Sequence, residues 1–282
     1  IRLSVKKFAD KNNLTYFDIR NHHGLLRNLM IRTSSTNDLM VLVQFYENDK
    51  KNINLVMNFL KNSFTEIHSL LYTVNDKEND SIYDRDIKLF NGKNYIEEKI
   101  NSLTFKIYPK SFFQTNIHQT IKLYELILKY AEIKKNEIVY DLYSGLGTIT
   151  QFVAKNSKKV VGVESVEEAV ISAINSAKEN KIDNVVFEYG DMKNVFTNDF
   201  ILKHGKPDVI ITDPPREGMH KDVINEILKL NTQRIVYVSC NPSTQCRDLE
   251  LLMEKYSINK VQPVDMFPHT DHVENIVLLE LK

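Results

Sequence analysis

The chain has 282 residues, of which 42% are hydrophobic and 26% charged, with equal numbers of basic and acidic side chains. This composition is typical of a folded globular protein with one large domain or two small ones. No apolar run approaches the ~20 residues of a membrane span and no signal peptide is visible, so we expect a cytoplasmic protein without a membrane partner. A net charge of zero argues weakly against nucleic-acid binding, although a local basic stripe can coexist with a neutral total.

The first part of the chain mixes strand and helix patterns without a regular rhythm. Two strand-like runs flank a polar turn at residues 34–38, which predicts a hairpin, and NINLVMNFLKNSF has the apolar spacing of a helix. HSLLYTVN indicates another strand, and the polar residues 75–86 indicate a loop. We predict a small α+β domain over residues 1–105. Because the chain begins at Ile1 and not at methionine, we also expect it to be a fragment.

From about residue 120, helices and apolar strands alternate regularly. An amphipathic helix, IKLYELILKYAEI, precedes EIVYDLY, KVVGVES, NVVFEYG, PDVIITD and RIVYVS, with helical segments between these strands, one of them near Lys221 to Leu230. Two final β-rich runs, KVQPVDMF and ENIVLLELK, predict an antiparallel edge hairpin. Uniformly apolar strands that alternate with helices predict a mostly parallel, doubly covered α/β sheet over residues 106–282.

The first turns of this α/β region have features of a cofactor site. Gly145 and Gly147 follow the first strand and permit a tight turn with close approach of a ligand to the backbone. Glu164 ends the next strand and Asp191 follows the third, while Asp141 lies within the end of the first. Carboxylates at successive strand ends suit a cationic cofactor without phosphates, bound through ribose hydroxyls and an adenine amino group. The alternative is that Glu164 and Asp191 are only helix caps or solvated loop charges.

The segment TDPPREG follows the fourth strand of this region. Two prolines fix the backbone after Asp213, which could then point at a target base or at the reactive end of a cofactor. Arg216 could contact a phosphate or carboxylate through two hydrogen bonds. The alternative is a proline-stiffened loop with a capping aspartate.

The fifth strand is followed by both cysteines of the chain, Cys240 and Cys246. Two cysteines are too few for a disulfide framework or an iron–sulfur cluster within this chain, and they fit a reducing compartment. Cys240 ends the strand just before a predicted helix, where the helix N-terminus would lower the thiol pKa and favour a nucleophilic thiolate. A buried structural thiol is the commoner role of such a residue. We expect Cys246 to pack inside the helix.

Two further segments carry polar or aromatic candidates. Glu274 begins the last strand and could act as a general base, or be a solvated charge at a strand end. His269 and His272 resemble a metal pair, but no third ligand is suggested, and we expect no metal site. In SFFQTN, residues 111–116, Phe112 and Phe113 could stack on a base, although a pair of core aromatics is commoner.

Taken in order, seven segments resemble the motifs of the RNA uracil-5-methyltransferase family. They are SFFQTN, DLYSGLG, GVES, GDM, DPPREG, SCNPSTQCRDL and DMFPHTDHVE. GLLRNLMIRTSS is also similar to the central domain of the members that act on ribosomal RNA. The resemblance implies a class I S-adenosylmethionine methyltransferase fold, Rossmann-like with a seven-stranded sheet. It further implies that a TRAM-type RNA-binding domain of many members is absent from this chain, as are ligands for the iron–sulfur cluster of some.

The resemblance also implies residue roles. Cys240 matches the nucleophile that adds to carbon 6 of uracil, and Glu274 matches the base that removes the carbon 5 proton. Asp213 matches a catalytic position between cofactor and base. The positions that match contacts to S-adenosylmethionine, which leaves as S-adenosylhomocysteine, are Gln114, Tyr143, Gly145, Glu164, Asp191 and Asp213. Base or RNA contacts are expected from Phe112, Phe113 and Arg216. Ser144 stands where the family often has cysteine.

Several functions stay open at this point. We expect a monomer that methylates a uridine in RNA, with 23S ribosomal RNA favoured over transfer RNA. A cytosine-5-methyltransferase is disfavoured because DPPREG contains no second cysteine, and an amino-group methyltransferase because Arg216 stands where an aromatic would follow the prolines. A non-catalytic RNA-binding module on the same fold is the alternative from another class.

Overall fold

A computed structural model describes residues 1–282, and the chain forms two compact units. Unit 1 comprises Ile1–Lys99 and Phe105–Ser111, and unit 2 comprises Ile100–Thr104 and Phe112–Lys282. The sequence led us to expect a single boundary between residues 105 and 106. In the structure, Ile100–Thr104 belong to unit 2 and Phe105–Ser111 to unit 1, so the units do not divide at a single position.

Unit 1 contains a four-stranded sheet with two helices. The strands are β1 (Leu26–Thr33), β2 (Leu39–Phe45), β3 (Ser69–Val74) and β4 (Lys88–Gly92), in that spatial order, and the helices are α1 (Arg2–Lys11) and α2 (Lys50–Ser63). Strands β1 and β2 pair antiparallel around the predicted turn, which confirms the hairpin, and β2 and β3 are parallel. A separate antiparallel ribbon follows, formed by β5 (Ile96–Ile100) and β6 (Leu103–Ile107).

The core of unit 1 explains why α2 forms. Ile53, Val56, Met57 and Leu60 recur at helical spacing and are all buried, so one face of α2 packs on the sheet. Asp49 caps the helix by accepting hydrogen bonds from the backbone N–H groups of Lys51 and Asn52. The predicted loop over residues 75–86 contains no helix or strand, as expected from its polar composition.

Unit 2 alternates helices and strands. After α3 (Ile117–Ala131), the order is β7 (Ile138–Leu142), α4 (Thr148–Ala154), β8 (Lys159–Glu164), α5 (Glu167–Glu179), β9 (Val185–Tyr189), α6 (Met192–Val195), α7 (Asn198–His204), β10 (Val209–Thr212), α8 (Lys221–Leu230), β11 (Arg234–Ser239), α9 (Pro242–Leu252), β12 (Tyr256–Val264) and β13 (Glu274–Leu281).

The seven-stranded sheet has the order β12-β13-β11-β10-β7-β8-β9. Strands β7 to β11 are mutually parallel, whereas β13 is antiparallel to both β11 and β12. The predicted mostly parallel sheet with an antiparallel pair at its edge is therefore confirmed. One detail differs from a simple edge hairpin, since β13 lies between β11 and β12.

Burial follows the topology. The residues of β10 are all buried, as are five of the six residues of β11, because helices cover both faces of the sheet. Helix α3 begins at the cap Asn116, whose side chain accepts from the backbone N–H of Gln119. No helix of the structure combines the length and apolar character needed to cross a membrane.

Candidate active site at one edge of the sheet

Most of the predicted site residues lie where the parallel strands of the unit 2 sheet have their carboxyl ends; we call this the site edge. Parallel strands β7 to β11 all end there, and the antiparallel β13 begins there, with Ser239 paired with Asn275. Tyr143, Glu164, Asp213 and Cys240 lie at or just beyond the ends of their strands, and Glu274 is the first residue of β13. The topology thus brings residues that are 131 positions apart in sequence, Tyr143 to Glu274, to one edge.

The loop after β7 has the backbone geometry of a ligand cradle. Tyr143, Gly145 and Gly147 have φ of 65°, 54° and 70°, a left-handed conformation that favours glycine. A Cβ at Gly147 would lie 2.5 Å from the Phe187 ring, so this glycine is required by packing. A Cβ at Gly145 would meet nothing within 4 Å, so the loop has open space beside its backbone at that residue.

Glu164 organises this loop. Its Oε2 accepts from the Gly145 N–H at 2.9 Å, and its Oε1 accepts from the Ser165 and Val166 N–H groups at 2.7 and 2.9 Å. Asp191 caps the short helix α6 by accepting from the Lys193 N–H at 3.1 Å. Asp191 is therefore a helix cap, which by itself does not decide whether it also contacts a ligand. Both carboxylates still have unused lone pairs for ligand hydroxyl or amino groups, since each oxygen can accept more than one hydrogen bond.

Asp141 lies deeper, beneath the loop. It is buried, its Oδ2 accepts from the Thr150 hydroxyl at 2.5 Å, and its Oδ1 has no hydrogen-bond partner. Burial raises the pKa of Asp141 to about 7, with the nearby Glu164 charge acting in the same direction. Burial also raises the pKa of Tyr143 to about 12, with the charges of Asp248 and Asp191 contributing.

The other half of the site edge holds a thiol between carboxylates. Burial raises the pKa of the half-buried Cys240 thiol, and the negative charges of Glu274 and Asp213 raise it further. A hydrogen bond from the Arg216 side chain and its positive charge act the other way and lower the thiol pKa. These interactions show that Cys240, Arg216, Glu274 and Asp213 form one cluster.

The two carboxylates of this cluster are poorly solvated. Glu274 is 5% exposed, its Oε2 has no hydrogen-bond partner, and burial raises its pKa to about 7 although Arg216 opposes the shift. The pKa of Asp213 is raised well above its ordinary value by burial and then by the charges of Glu274 and Asp141. A carboxyl group with a pKa near 7, such as that of Glu274, is suited to proton transfer at physiological pH.

The thiol departs from the sequence prediction in one respect. Cys240 does lie beside the N-terminus of α9, whose cap is Asn241, but its pKa is raised and not lowered. Desolvation and the charges of Glu274 and Asp213 outweigh the opposing effect of Arg216. The prediction for Cys246 is also wrong, because its side chain is exposed on α9 and not packed inside.

The segment 111–116 lies partly at this site. Phe112 is 75% exposed, which contradicts the commoner expectation of a core aromatic pair for that residue. Asn116 donates to the Met266 carbonyl at 3.2 Å and Gln119 donates to the Asp265 carbonyl at 3.0 Å, so the start of α3 is joined to the loop before Glu274. Gln114, two residues before Asn116, is partly exposed.

The structure contains no group of three or more side chains arranged to hold a metal ion, and His269 and His272 are exposed.

Sequence reasoning missed the residues of α9 that hold the cluster together. Asp248 and Gln245 are both buried, and both hydrogen-bond across to neighbouring strands and loops. An amide and a carboxylate three residues apart on one predicted helix, in NPSTQCRDL, were the only signal that the sequence showed of them. Polar residues in a helix are usually exposed, so that signal needs the packing to be recognised.

We call the loop after β7, residues 143–147, the glycine loop. Its residues and their neighbours fit a nucleoside cofactor with a cationic centre. Open space lies beside Gly145, Glu164 is held by three backbone N–H groups, and Asp141 and Ser144 each have a buried oxygen without a hydrogen-bond partner. Ribose hydroxyls and an amino group can donate to such acceptors. Phosphates would be repelled by the carboxylates of Asp141, Glu164 and Asp191.

The fold and the site edge define a class I methyltransferase, with a mostly parallel seven-stranded sheet, an antiparallel strand beside β11 and a glycine loop after β7. The family model of the tRNA (uracil-5-)-methyltransferases matches residues 81–282. The chain belongs to this family.

Curated relatives agree with that assignment. An RNA methyltransferase of Bacteroides thetaiotaomicron is 50% identical over 100% of this chain and 63% of its own length. One from Porphyromonas gingivalis is 50% identical over 99% of this chain and 61% of its own length. The chain therefore spans about three fifths of the length of these relatives.

A solved structure supports the same fold. The tRNA (uracil-54, C5)-methyltransferase of Pyrococcus abyssi, in complex with S-adenosyl-L-homocysteine, superposes with a TM-score of 0.82 and 32% identity. The match covers 98% of this chain and 65% of that one. Trm5b from the same organism has a TM-score of 0.59 at 16% identity over 90% of this chain and 75% of that one, which shows a likeness of fold alone.

Proposed function

We propose that this chain is the catalytic part of an S-adenosylmethionine-dependent enzyme that methylates carbon 5 of a uridine in RNA through a covalent cysteine adduct. The observation that carries the proposal is the cluster of Cys240, Arg216, Glu274 and Asp213 on the same sheet edge as the glycine loop. Membership of the family, and a neighbour that binds S-adenosyl-L-homocysteine, support it.

The glycine loop and its neighbours would hold the cofactor. Glu164 would accept from the ribose hydroxyls and Asp191 from the adenine amino group, with the Gly145 backbone in close approach. Gln114, Tyr143 and Asp213 would contact the amino-acid end and the sulfonium. When bound, S-adenosylmethionine supplies an electrophilic methyl group on a positively charged sulfur.

Cys240 would make carbon 5 of uracil nucleophilic. Carbon 5 is unreactive in the free ring, but addition of the Cys240 thiolate at carbon 6 forms an S–C6 bond and moves the C5=C6 electron pair onto an enolate. Carbon 5 of that enolate would take the methyl group as the S–CH3 bond breaks, with the electron pair of that bond staying on the sulfur of S-adenosylhomocysteine. Arg216 would assist because its positive charge and hydrogen bond favour the thiolate.

Glu274 would complete the reaction as the general base. Its carboxylate takes the proton from carbon 5, the C5–H electron pair re-forms the C5=C6 double bond, and the S–C6 bond breaks to release Cys240 as thiolate. A pKa near 7 allows Glu274 to be ionised before this step and to hold the proton after it. No metal is needed for any of these steps.

The RNA substrate would present a flipped uridine to the cluster, at a cost of roughly a few kcal/mol for unstacking. Phe112 and Phe113 are the proposed stacking groups, Arg216 is a further RNA contact, and unit 1 is the proposed RNA-contacting domain.

We propose 23S ribosomal RNA as the substrate because of the likeness of residues 24–35 to the ribosomal members. The alternative is transfer RNA, which is favoured by the stated activity of the Pyrococcus abyssi enzyme. We further propose a monomer in the cytoplasm, where Cys240 stays reduced.

The proposal is tested with RNA that contains 5-fluorouridine. Once carbon 5 carries both fluorine and the methyl group, it has no proton for the base to remove, so the covalent adduct with Cys240 is trapped. Cys240→Ala in the full protein should abolish both methyl transfer and the trapped adduct. Cys246→Ala, in the same segment but exposed, is the matched control and should keep both. Full methyl-transfer activity of the Cys240→Ala variant would refute the covalent cysteine mechanism. Absence of both methyl transfer and the adduct in the parent protein would favour a non-catalytic RNA-binding module instead.

The substrate is tested separately by mapping 5-methyluridine in RNA from cells that lack the protein. Loss of one or more 5-methyluridines from 23S ribosomal RNA, with transfer RNA unchanged, is the expected result. Loss confined to transfer RNA would replace the ribosomal assignment by the alternative.

A further inference from the structure

The turn that carries Arg216 is closed on itself. The Gly218 N–H donates to the Pro215 carbonyl at 2.8 Å, and Gly218 has a φ of 78°. A Cβ at Gly218 would lie 2.6 Å from both Arg247 Nη2 and Asp248 Oδ2. The turn is therefore packed directly against α9, with no room for a side chain between them.

Helix α9 binds the backbone of this turn at successive residues. The Thr244 hydroxyl and the Asn241 amide both donate to the Arg216 carbonyl at 3.0 Å. Arg247 Nη2 donates to the Glu217 carbonyl at 2.8 Å, and the Met219 N–H donates to Asp248 Oδ2 at 2.7 Å. Thr244, Arg247 and Asp248 have the i, i+3, i+4 spacing that places side chains on one side of a helix, and we call them the α9 clamp.

Asp248 is the centre of the α9 clamp. Its side chain is completely buried, and it accepts from the Met219 N–H, from the Tyr237 hydroxyl at 2.7 Å and from the Arg247 guanidinium at 2.7 and 2.9 Å. A buried carboxylate is costly unless every partner is in place, so the positions of these partners are strongly coupled. Asp248 thus joins α9, strand β11 and the Arg216 turn.

These contacts matter for Arg216, which is exposed. Without a fixed backbone, its long side chain would sample many rotamers and positions. We propose that the α9 clamp is a set of positioning residues that fixes the Arg216 turn and so holds the guanidinium beside the Cys240 thiol. The thiol is faced by Glu274 and Asp213 as well, so Arg216 is the cationic side chain that counters them. The importance of the clamp for methyl transfer rests on the proposed function, since Cys240 must be the nucleophile for it to matter.

The test measures ionisation of Cys240 without RNA or cofactor. The full protein carries Cys246→Ser in every variant, so that iodoacetamide alkylation, followed by mass spectrometry of the Cys240 peptide across pH, reports one thiol. Arg216→Ala sets the shift expected when the guanidinium is lost. Asp248→Asn removes the buried charge with little change of shape, and Glu250→Gln removes a charge from an exposed position of the same helix as the matched control.

The alkylation midpoint should rise by at least about half a pH unit in Arg216→Ala and in Asp248→Asn, because an adjacent opposite charge favours the ionised form. The double variant Arg216→Ala/Asp248→Asn should show no further rise, since both changes act through the same contact. Glu250→Gln should leave the midpoint unchanged. An unshifted midpoint in folded Asp248→Asn, or an additive shift in the double variant, overturns the proposal.

Two milder variants keep the test decisive if Asp248→Asn does not fold. Thr244→Val and Arg247→Gln each remove hydrogen bonds to the turn and leave the Asp248 carboxylate in place. Each should raise the midpoint in the same direction by a smaller amount, and no shift in either folded variant overturns the proposal. A shifted midpoint combined with an absent 5-fluorouridine adduct in the parent protein would retain the clamp and refute the proposed function instead.

Discussion

The two halves of the site edge treat their carboxylates in opposite ways. On the side of β7 and β8, Glu164 is held by three backbone N–H groups and stabilises the loop that contains Gly145. On the side of β10, β11 and β13, Glu274 is buried with an unpartnered oxygen, and its pKa is raised to about 7. The first arrangement fixes a shape for binding, whereas the second keeps a group ready to exchange a proton. The difference predicts that mutations in the two halves fail in different ways.

The largest effect is expected from Glu274→Gln. Loss of a general base lowers the multiple-turnover rate by roughly 10²–10⁴-fold. The step that fails is removal of the carbon 5 proton, so the methylated RNA should remain bound to Cys240. A denaturing gel with ordinary, unfluorinated RNA should show this covalent complex in the variant and little of it in the parent. A variant that is inactive and forms no complex would contradict the role of Glu274 as the base.

Glu164→Gln should weaken cofactor binding while sparing the chemical step. One charged acceptor of hydrogen bonds contributes about 1.5–3 kcal/mol, so the dissociation constant for S-adenosylhomocysteine should rise by about 10–150-fold in calorimetry. At saturating S-adenosylmethionine the rate should approach that of the parent. A reduced rate at saturation with unchanged affinity would remove the contrast between the two halves.

The pH dependence should follow the raised pKa of Glu274. Glu274 acts as a base only when ionised, so the rate at which free methylated RNA is released should rise by about tenfold between pH 6 and pH 8, with an inflection near 7. The raised pKa of the Cys240 thiol acts in the same direction, because the thiolate fraction also grows with pH. Glu274→Gln should lose the inflection near 7 while keeping the rise that comes from the thiol. A rate that falls over this range would contradict the assignment of Glu274 as an unprotonated base.

The two glycines of the loop after β7 provide the finest comparison. Gly145→Ala should cost roughly 1–2 kcal/mol of unfolding free energy from its left-handed backbone alone. Gly147→Ala adds a clash with the Phe187 ring and should lower the thermal midpoint more. Cofactor affinity should show the reverse order, because the space beside Gly145 is open and the space beside Gly147 is filled by protein. Equal losses of affinity in both variants would argue against a cofactor beside Gly145.

The sequence was sufficient to predict the arrangement of unit 2, and the reasons are local. Alternating helical and apolar strand patterns forced a parallel sheet, and parallel strands bring Glu164, Asp213 and Cys240 to one edge. The electrostatic state of Cys240 could not be obtained in the same way. Its pKa depends on how deeply the thiol is buried and on Glu274, 34 residues away in sequence, so the local rule about helix N-termini gave the wrong direction.

Unit 1 and helix α9 show the other limit of prediction. The hairpin of β1 and β2 and the amphipathic α2 were predictable because their patterns are strong. The ribbon of β5 and β6 was missed, since its strands are short and carry several charged residues. Asp248 and Gln245 were indistinguishable from ordinary polar helix residues until the contacts with Met219 and Asn275 were known.

The insertion of β13 between β11 and β12 has a consequence for the order in which the protein is assembled during synthesis. Strand β11 delivers Cys240 to the sheet, but Glu274 arrives only with β13, which must pair with β11 and β12 on either side. A nascent chain folded only as far as β11 therefore holds the thiol without the base. In the proposed mechanism such an intermediate could not remove the carbon 5 proton, so a methylated adduct on Cys240 would not be released. Pairing of β13 with β11 brings Glu274 to the thiol, and so makes release of the product and turnover possible.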